Sequence, residues 1–310
     1  MNVLIIGAGA IGSLFAGYLA AGGLSVTLVE NSPAIPSQIN RDGLRIRGVR
    51  GEQVVRVPVL RDADQSAPAD LIMICVKAYD TAAALQQHAA ACRRGGLVLT
   101  LQNGIGNVEE IERQVGRERT LAGVTTMGAN LAAPGEVIHA GEGETIIGEV
   151  NGGWSERARR LAEAFTLAGI RTSVSPNIHN LLWTKLCINA AINPLTALLH
   201  VHNGVLVEHE PTQNIMRATV DEVVAVAGEL AITLDRELLF TRAIEVARAT
   251  AHNRSSMLMD VLNGKPTEIN YINGAVARIG RERGLTAPVN EMLTNLVLAL
   301  ESTSLAREKN

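Results

Sequence analysis

Apolar and polar positions divide this chain into two stretches with different periods. In the first, short runs that are apolar at nearly every position alternate with longer segments of helical spacing. Asn2–Ile6, Ser25–Val29, Leu71–Val76 and Leu97–Leu101 are the runs, and their length and branched side chains predict strands. Strands buried on both faces belong to parallel sheets covered by helices. Ile11–Ala21 and the alanine-rich Thr81–Cys92 supply helices between them. The repetition predicts the α/β class, with an N-terminal doubly wound Rossmann-type domain. Val137–His139 and Thr145–Ile147, separated by Gly141 and Gly143, are expected to form a hairpin near its end.

The character changes around Ser175-Pro176-Asn177. Beyond it the strand-like runs stop, and Leu181–Asn193, Ile215–Ile232, Glu237–Ala251 and Pro266–Arg283 carry helical periodicity. Pro266 stands where the last of these should begin and Gly284 just past its end, the usual asymmetry of helix termini. The division predicts a dinucleotide-binding domain over 1–175 and an all-helical substrate domain over 176–310. Arg307–Asn310 is expected to fray.

Composition then removes whole classes of function. At 47% hydrophobic and 19% charged, the 310 residues suit two packed domains rather than a disordered chain. Net charge is −3 with no long basic run, which argues against nucleic acid as a partner. Aromatics are only 3%, so a bound molecule is expected to be held by hydrogen bonds and charge rather than by stacking. Cys75, Cys92 and Cys187 are too few and scattered for a disulfide framework or a zinc site, so no metal and a reducing, cytoplasmic setting are expected. Asn2 to Val29 carries no charge and is long enough on paper to span a bilayer. Its six glycines, at about 1 kcal/mol each against Ala in a helix, and the absence of a basic flank favour a buried strand, turn and helix instead, with no membrane.

Gly7-Ala8-Gly9-Ala10-Ile11-Gly12 is a G-x-G-x-x-G in the required setting, after a buried strand and at the opening of a helix. Gly7 would make the tight turn, Gly9 would let a pyrophosphate approach, and Gly12 would let helix and sheet pack closely. The phosphates would then meet the helix N-terminus at Ala10 and Ile11. Glu30, eighteen positions after Gly12, stands where an acidic side chain binds the adenosine ribose hydroxyls and repels a 2′-phosphate. Locally this favours NAD(H), although a strand-end carboxylate can also simply face solvent. Arg45 and Arg47 are basic residues that folding could still bring to a phosphate.

Lys185, Asn189 and Asn193 recur at intervals of four within an otherwise apolar segment, so a helix places them on one face. Such a line is either a solvated helix surface or the wall of a site, because buried lysine and asparagine need partners. Pro194 is expected to turn Asn193 away from helical geometry. Lys77 and Gln102-Asn103-Gly104 follow apolar strands at the sheet end where open α/β folds bind ligands. Glu268 is expected in the first turn of the Pro266–Arg283 helix, and Ser255-Ser256 could be an N-cap pair.

Taken together, these residues resemble the ketopantoate reductases (2-dehydropantoate 2-reductases) over nearly the whole chain. The resemblance rests on Gly7–Gly12, Val76-Lys77-Ala78, Gln102-Asn103-Gly104, the run from Lys185 through Asn189 to Asn193-Pro194, Asn203-Gly204, Ser255-Ser256-Met257-Leu258 and Thr267-Glu268-Ile269-Asn270. It implies hydride transfer from NADP(H) to 2-dehydropantoate, a 2-oxo acid, giving (R)-pantoate on the route to pantothenate and coenzyme A. It also implies Lys185 as general acid and Glu268 as the residue that holds a substrate hydroxyl and orients Lys185. Asn189, Asn193, Asn203 and Ser256 would line the substrate pocket, and Lys77 and Asn103 would face cofactor and substrate. The family commonly carries a basic residue where this chain has Glu30, so NADH and another branched 2-oxo acid stand as the alternative. A related β-hydroxyacid dehydrogenase and a dinucleotide-binding regulator without turnover are the other readings, and the long helices leave a homodimer open.

Overall fold

The computed structural model describes residues 1–307; residues 308–310, most of the segment expected to fray, lie outside the described residues. The chain forms two compact units, one of Met1–Gln102 with Asn107–Ile178, the other of Asn103–Gly106 with the chain from His179 onward.

The first unit holds twelve strands among the described residues: β1 (Asn2–Ile6), β2 (Ser25–Val29), β3 (Leu44–Gly48), β4 (Gly51–Val55), β5 (Val59–Leu60), β6 (Leu71–Ile74), β7 (Leu97–Thr100), β8 (Thr120–Thr125), β9 (Gly128–Ala133), β10 (Glu136–Gly141), β11 (Thr145–Glu149) and β12 (Thr172–Val174). Its helices are α1 (Ala10–Ala21), α2 (Ala34–Asp42), α3 (Thr81–Gln87), α4 (Ala89–Arg94), α5 (Asn107–Val115) and α6 (Glu156–Leu167). Eight strands make one sheet in the order β12-β11-β8-β7-β6-β1-β2-β5. It is parallel except where β11 runs against β8. The ends of β2 and β6 flank the end of β1, in register Ile6↔Val29 and Ile6↔Ile74, so the glycine turn leaves the sheet between them.

A second sheet, β4-β3-β10-β9, covers α1. In β3, Leu44 and Ile46 are buried while Arg45 and Arg47 point outward. A side chain at Gly17 would collide with Ile46 Cδ1, so a glycine is what lets α1 and this sheet meet. With sheet on both sides, α1 is buried from Gly12 to Leu19, and its nearly unbroken apolar sequence follows. The hairpin expected from Val137–His139 and Thr145–Ile147 does not form: β10 pairs with β3 and β9, whereas β11 pairs with β8 and β12. Gly141 and Gly143 mark a crossing between sheets, and Gly143 lies against the Thr126–Met127 backbone where a Cβ would not fit. The single helix expected over Thr81–Cys92 is two, meeting at His88, whose buried Nδ1 accepts the Ala63 N–H at 3.3 Å.

The second unit is helical: α7 (Ile178–Leu199), α8 (Glu210–Gly228), α9 (Arg236–Ala249), α10 (Ser256–Leu262), α11 (Asn273–Glu282) and α12 (Pro288–Arg307). Its core gathers Trp183, Leu186 and Ala190 of α7 with Met216, Val220 and Val223 of α8, Val276 of α11 and Val297 of α12. Two expectations fail here. The helix expected from Pro266 begins only at Asn273, after a 3-10 turn over Ile269–Tyr271 that ends at Ile272 with φ −106° and ψ −96°, outside helical geometry. Also, α7 runs through Pro194 to Leu199 instead of turning Asn193 out. The proline removes the N–H that would bond the Ala190 carbonyl one turn back. Asn273 Nδ2 donates to that carbonyl at 3.1 Å in its place. Among the described residues, no helix is long and apolar enough to cross a membrane.

Candidate active site

In the first unit the glycine turn is a cradle with one open position. Gly7 has φ +109°, and a Cβ there would sit 2.6 Å from the Val76 N and 2.7 Å from the Cys75 carbonyl carbon. At Gly12 a Cβ would overlap the Gly7 carbonyl oxygen. Gly9 differs: it is exposed, and the nearest atom to its virtual Cβ is the Cys75 oxygen at 3.8 Å, an ordinary contact. The protein therefore forbids side chains at Gly7 and Gly12 and leaves Gly9 clear for something outside the chain. Gly9 is also the N-cap of α1 and has no side-chain cap, so the first amides of α1, from Ala10, Ile11 and Gly12, head a helix whose dipole favours an anion. The cradle fits a pyrophosphate.

Glu30 closes one side of this turn. Its half-buried carboxylate accepts the Ala8 N–H at 3.2 Å and the Ser32 N–H at 2.9 Å. A 2′-phosphate at the end of β2 would face that negative charge. Asp80, following β6, has its carboxyl pushed up by partial desolvation and by the Glu30 charge, which puts a second carboxylate in the same neighbourhood. Arg45 and Arg47 are engaged in the second sheet, Arg45 with Glu52 and Arg47 with Glu136 at 2.6 Å. Lys77 is half-buried in the segment after β6, at the start of the 3-10 turn Ala78–Asp80. Gln102 fastens the neighbouring strand ends, donating to the Val76 carbonyl at 2.7 Å and to Thr81 Oγ1 at 2.8 Å.

Asn103 groups with the second unit. Two residues on, the Ile105 N–H donates to the Tyr271 carbonyl at 2.9 Å, and Gly104 lies so close that a Cβ would come within 2.5 Å of the same oxygen. Tyr271 in turn gives its N–H to the Glu268 carbonyl at 2.9 Å. One short turn thus holds Glu268 and the Asn103 loop together.

On α7, Lys185 and Asn189 are half-buried and Asn193 is 6% exposed. Glu268 is also 6% exposed and sits at the head of the 3-10 turn rather than in a helical first turn. Removal from water pushes the Lys185 ammonium down from 10.5 to about 8, with the Glu268 charge pulling it back up. A lysine of that kind keeps its proton at neutral pH and gives it up readily, which suits a general acid. Ser255 and Ser256 separate cleanly. Ser255 is buried and caps α10, accepting the Leu258 N–H at 3.1 Å, whereas Ser256 is exposed as the first residue of the helix. Ser255 Oγ also lies 2.7 Å from Thr196 Oγ1, and Thr196 donates to the Asn193 carbonyl at 2.9 Å, which ties α10 to the proline turn of α7. Asn203 Nδ2 donates to Thr250 Oγ1 at 2.9 Å, and among the described residues its Oδ1 is buried without a partner. Asn273 and Thr196 were not singled out from the sequence. Their signal is a proline inside a helix, which demands that something answer the carbonyl one turn back. Among the described residues, no three His, Cys, Asp or Glu side chains are grouped as a metal site.

A doubly wound sheet with a pyrophosphate cradle, joined to a helical unit that presents an acidified lysine beside a buried carboxylate, defines a nicotinamide-dinucleotide oxidoreductase. The model of ketopantoate reductase PanE/ApbA matches residues 3–152 and that of its C-terminal region matches residues 177–301; the chain belongs to this family. It is 39% identical to the 2-dehydropantoate 2-reductase of Halobacterium salinarum over 96% of this chain and 98% of that protein. Among solved structures, a ternary complex of D-mandelate dehydrogenase with NADH and anilino(oxo)acetate superposes with a TM-score of 0.93 at 30% identity, covering 98% of this chain and 99% of that one. A PanE/ApbA family ketopantoate reductase from Ralstonia eutropha JMP134 does so at 0.89 and 32%, over 98% and 99%.

Proposed function

We propose that the chain reduces 2-dehydropantoate to (R)-pantoate, with NADH as the preferred donor. The observation that carries the chemistry is Lys185, acidified to about 8 and paired electrostatically with Glu268 on the unit that also presents Asn189 and Asn193. Gly7, Gly9 and Gly12 with the Ala10 and Ile11 amides would hold the pyrophosphate, and Glu30 the adenosine ribose. Bound there, the reduced nicotinamide supplies a hydride to the carbonyl carbon of the substrate.

The protein's own part is electrostatic and acidic. Lys185 Nζ stabilises the negative charge that develops on the ketone oxygen and donates its proton to it. Glu268 keeps the ammonium charged in a site that would otherwise neutralise it, and its carboxylate accepts a hydrogen bond from a substrate hydroxyl. Asn189 and Asn193 offer amide donors to the substrate carboxylate, and Ser256 an exposed hydroxyl. Asn103 and Lys77 would face cofactor and substrate. Asn203, with its amide held by Thr250, shapes the pocket from behind.

The preference for NADH rests on the Glu30 carboxylate, held by two backbone amides at the end of β2. The likeness to D-mandelate dehydrogenase favours a second reading, reduction of an aryl-substituted 2-oxo acid by the same groups. Initial rates of NADH and NADPH oxidation with 2-dehydropantoate, phenylglyoxylate and other branched 2-oxo acids separate the two. The first reading requires the highest kcat/KM with 2-dehydropantoate and NADH. A higher value for phenylglyoxylate would transfer the site to the second reading, and a strong preference for NADPH would remove Glu30 from the ribose.

A further inference from the structure

The face of α7 that carries Lys185, Asn189 and Asn193 depends on a helix interrupted by Pro194. A proline there removes one backbone donor and pushes against the carbonyl one turn back, which normally kinks or ends a helix. That carbonyl belongs to Ala190, next to Asn189 and less than a turn before Asn193. It accepts instead from Asn273 Nδ2 at 3.1 Å, and Asn273 is wholly buried.

The orientation of this amide is set from a distance. Glu222 on α8 has only acceptors, and it takes the Val289 N–H at 2.8 Å, the Asn290 N–H at 2.9 Å and Asn290 Nδ2 at 2.8 Å. With its Nδ2 committed to Glu222, Asn290 presents Oδ1 to Asn273, which must then offer Nδ2, at 3.0 Å. The second hydrogen of that same Nδ2 is left for Ala190. Among the described residues, Asn273 Oδ1 is buried without a partner, so the side chain is placed for its donors at the expense of its acceptor.

We propose that Asn273 is a positioning residue for the substrate face of α7: by answering the carbonyl that Pro194 leaves open, it carries the helix through the proline and keeps Asn189 and Asn193 in register with Lys185. The inference rests on reading that face as the wall of the substrate site, but its structural half can be tested apart from turnover.

The experiment is a double-mutant cycle of Asn273→Ala and Pro194→Ala, read both in kcat and KM for 2-dehydropantoate and in urea unfolding. Pro194→Ala restores an N–H that can itself bond the Ala190 carbonyl, so the loss of Asn273 should matter less in that background. Asn273→Ala is expected to lower kcat/KM by about tenfold or more, chiefly through KM, in the Pro194 protein and by less than about threefold in the Pro194→Ala protein. Its effect on the urea midpoint should shrink in the same way. Equal losses in both backgrounds, in kinetics and in unfolding, would overturn the proposal, as would an Asn273→Ala enzyme with unchanged kcat/KM. If the wild-type chain turns over no 2-oxo acid, the site reading fails while the unfolding cycle still decides the helix role. Should Asn273→Ala not fold, Asn273→Asp preserves the volume. Its carboxylate has no proton to give Ala190 at neutral pH and regains one on protonation, so its kcat/KM relative to wild type should rise as pH falls. A ratio that is flat with pH would count against the proposal.

Discussion

Lys185 links catalysis to stability, and the size of that link follows from its environment. An ordinary lysine titrates at 10.5, whereas burial brings this one down to about 8. Between those two values the unfolded chain binds a proton that the folded chain has released, so stability rises with pH across the window and is lowest below it. A gap of about 2.5 pH units at about 1.4 kcal/mol each makes the whole effect at most about 3.5 kcal/mol. Lys185→Met removes the titration and keeps most of the volume. Unfolding free energies of wild type and variant, measured from pH 7 to about 10.5, should therefore converge or cross by up to about 3.5 kcal/mol as pH rises. The difference between the two curves is the readout, because Glu268 loses its partner in the variant at every pH and the remaining titrations are common to both. The same lysine must be protonated to act, so wild-type kcat should fall as pH climbs through about 8. Parallel stability curves, or a kcat that stays level to pH 10, would show that Lys185 is neither desolvated nor the acid.

Two further predictions concern the cofactor cradle. Gly9→Ala should change stability by less than about 1 kcal/mol while weakening dinucleotide binding about tenfold or more, whereas Gly12→Ala should lower the thermal midpoint directly because its Cβ meets the Gly7 carbonyl. Thermal unfolding beside a fluorescence titration with NADH checks both, and equal stability losses at the two positions would contradict the open-cradle account. Glu30→Arg should move the kcat/KM ratio toward NADPH by about tenfold or more, since a repelling charge becomes an attracting one. An unchanged ratio would place the ribose elsewhere.

How much of this could be read from the sequence depended on how each residue meets its surroundings. The bounds of β1 and β2 match the expected runs residue for residue, because their branched apolar residues are buried, Val3–Ile6 in β1 and Val26, Leu28 and Val29 in β2. The second sheet was not legible: in β3 leucine and isoleucine alternate with arginine, and nothing local says that Gly17 of α1 lies against Ile46. The false hairpin has the same origin, since period two identifies a strand but not its partner. At the site, the four-residue spacing of Lys185, Asn189 and Asn193 put them on one helix face, and the chain order around the glycine turn pointed to Glu30. Their contacts were another matter. That Glu30 folds back onto the Ala8 amide and that Glu268 is buried at a 3-10 turn are consequences of packing. So is the capping of α10 by Ser255, which leaves Ser256 exposed. Pro194 misled most directly. Its local preference argued for a helix end, and a single buried amide from eighty residues away reversed it.

The central claim is that Lys185 supplies the proton for a hydride transfer to a 2-oxo acid. Its most direct test is the turnover of Lys185→Ala with 2-dehydropantoate, measured together with dinucleotide affinity by fluorescence titration. The account predicts a kcat lower by about two orders of magnitude or more with the Kd for NADH within about threefold of wild type. A variant that turns over at the wild-type rate while binding the dinucleotide normally would contradict it.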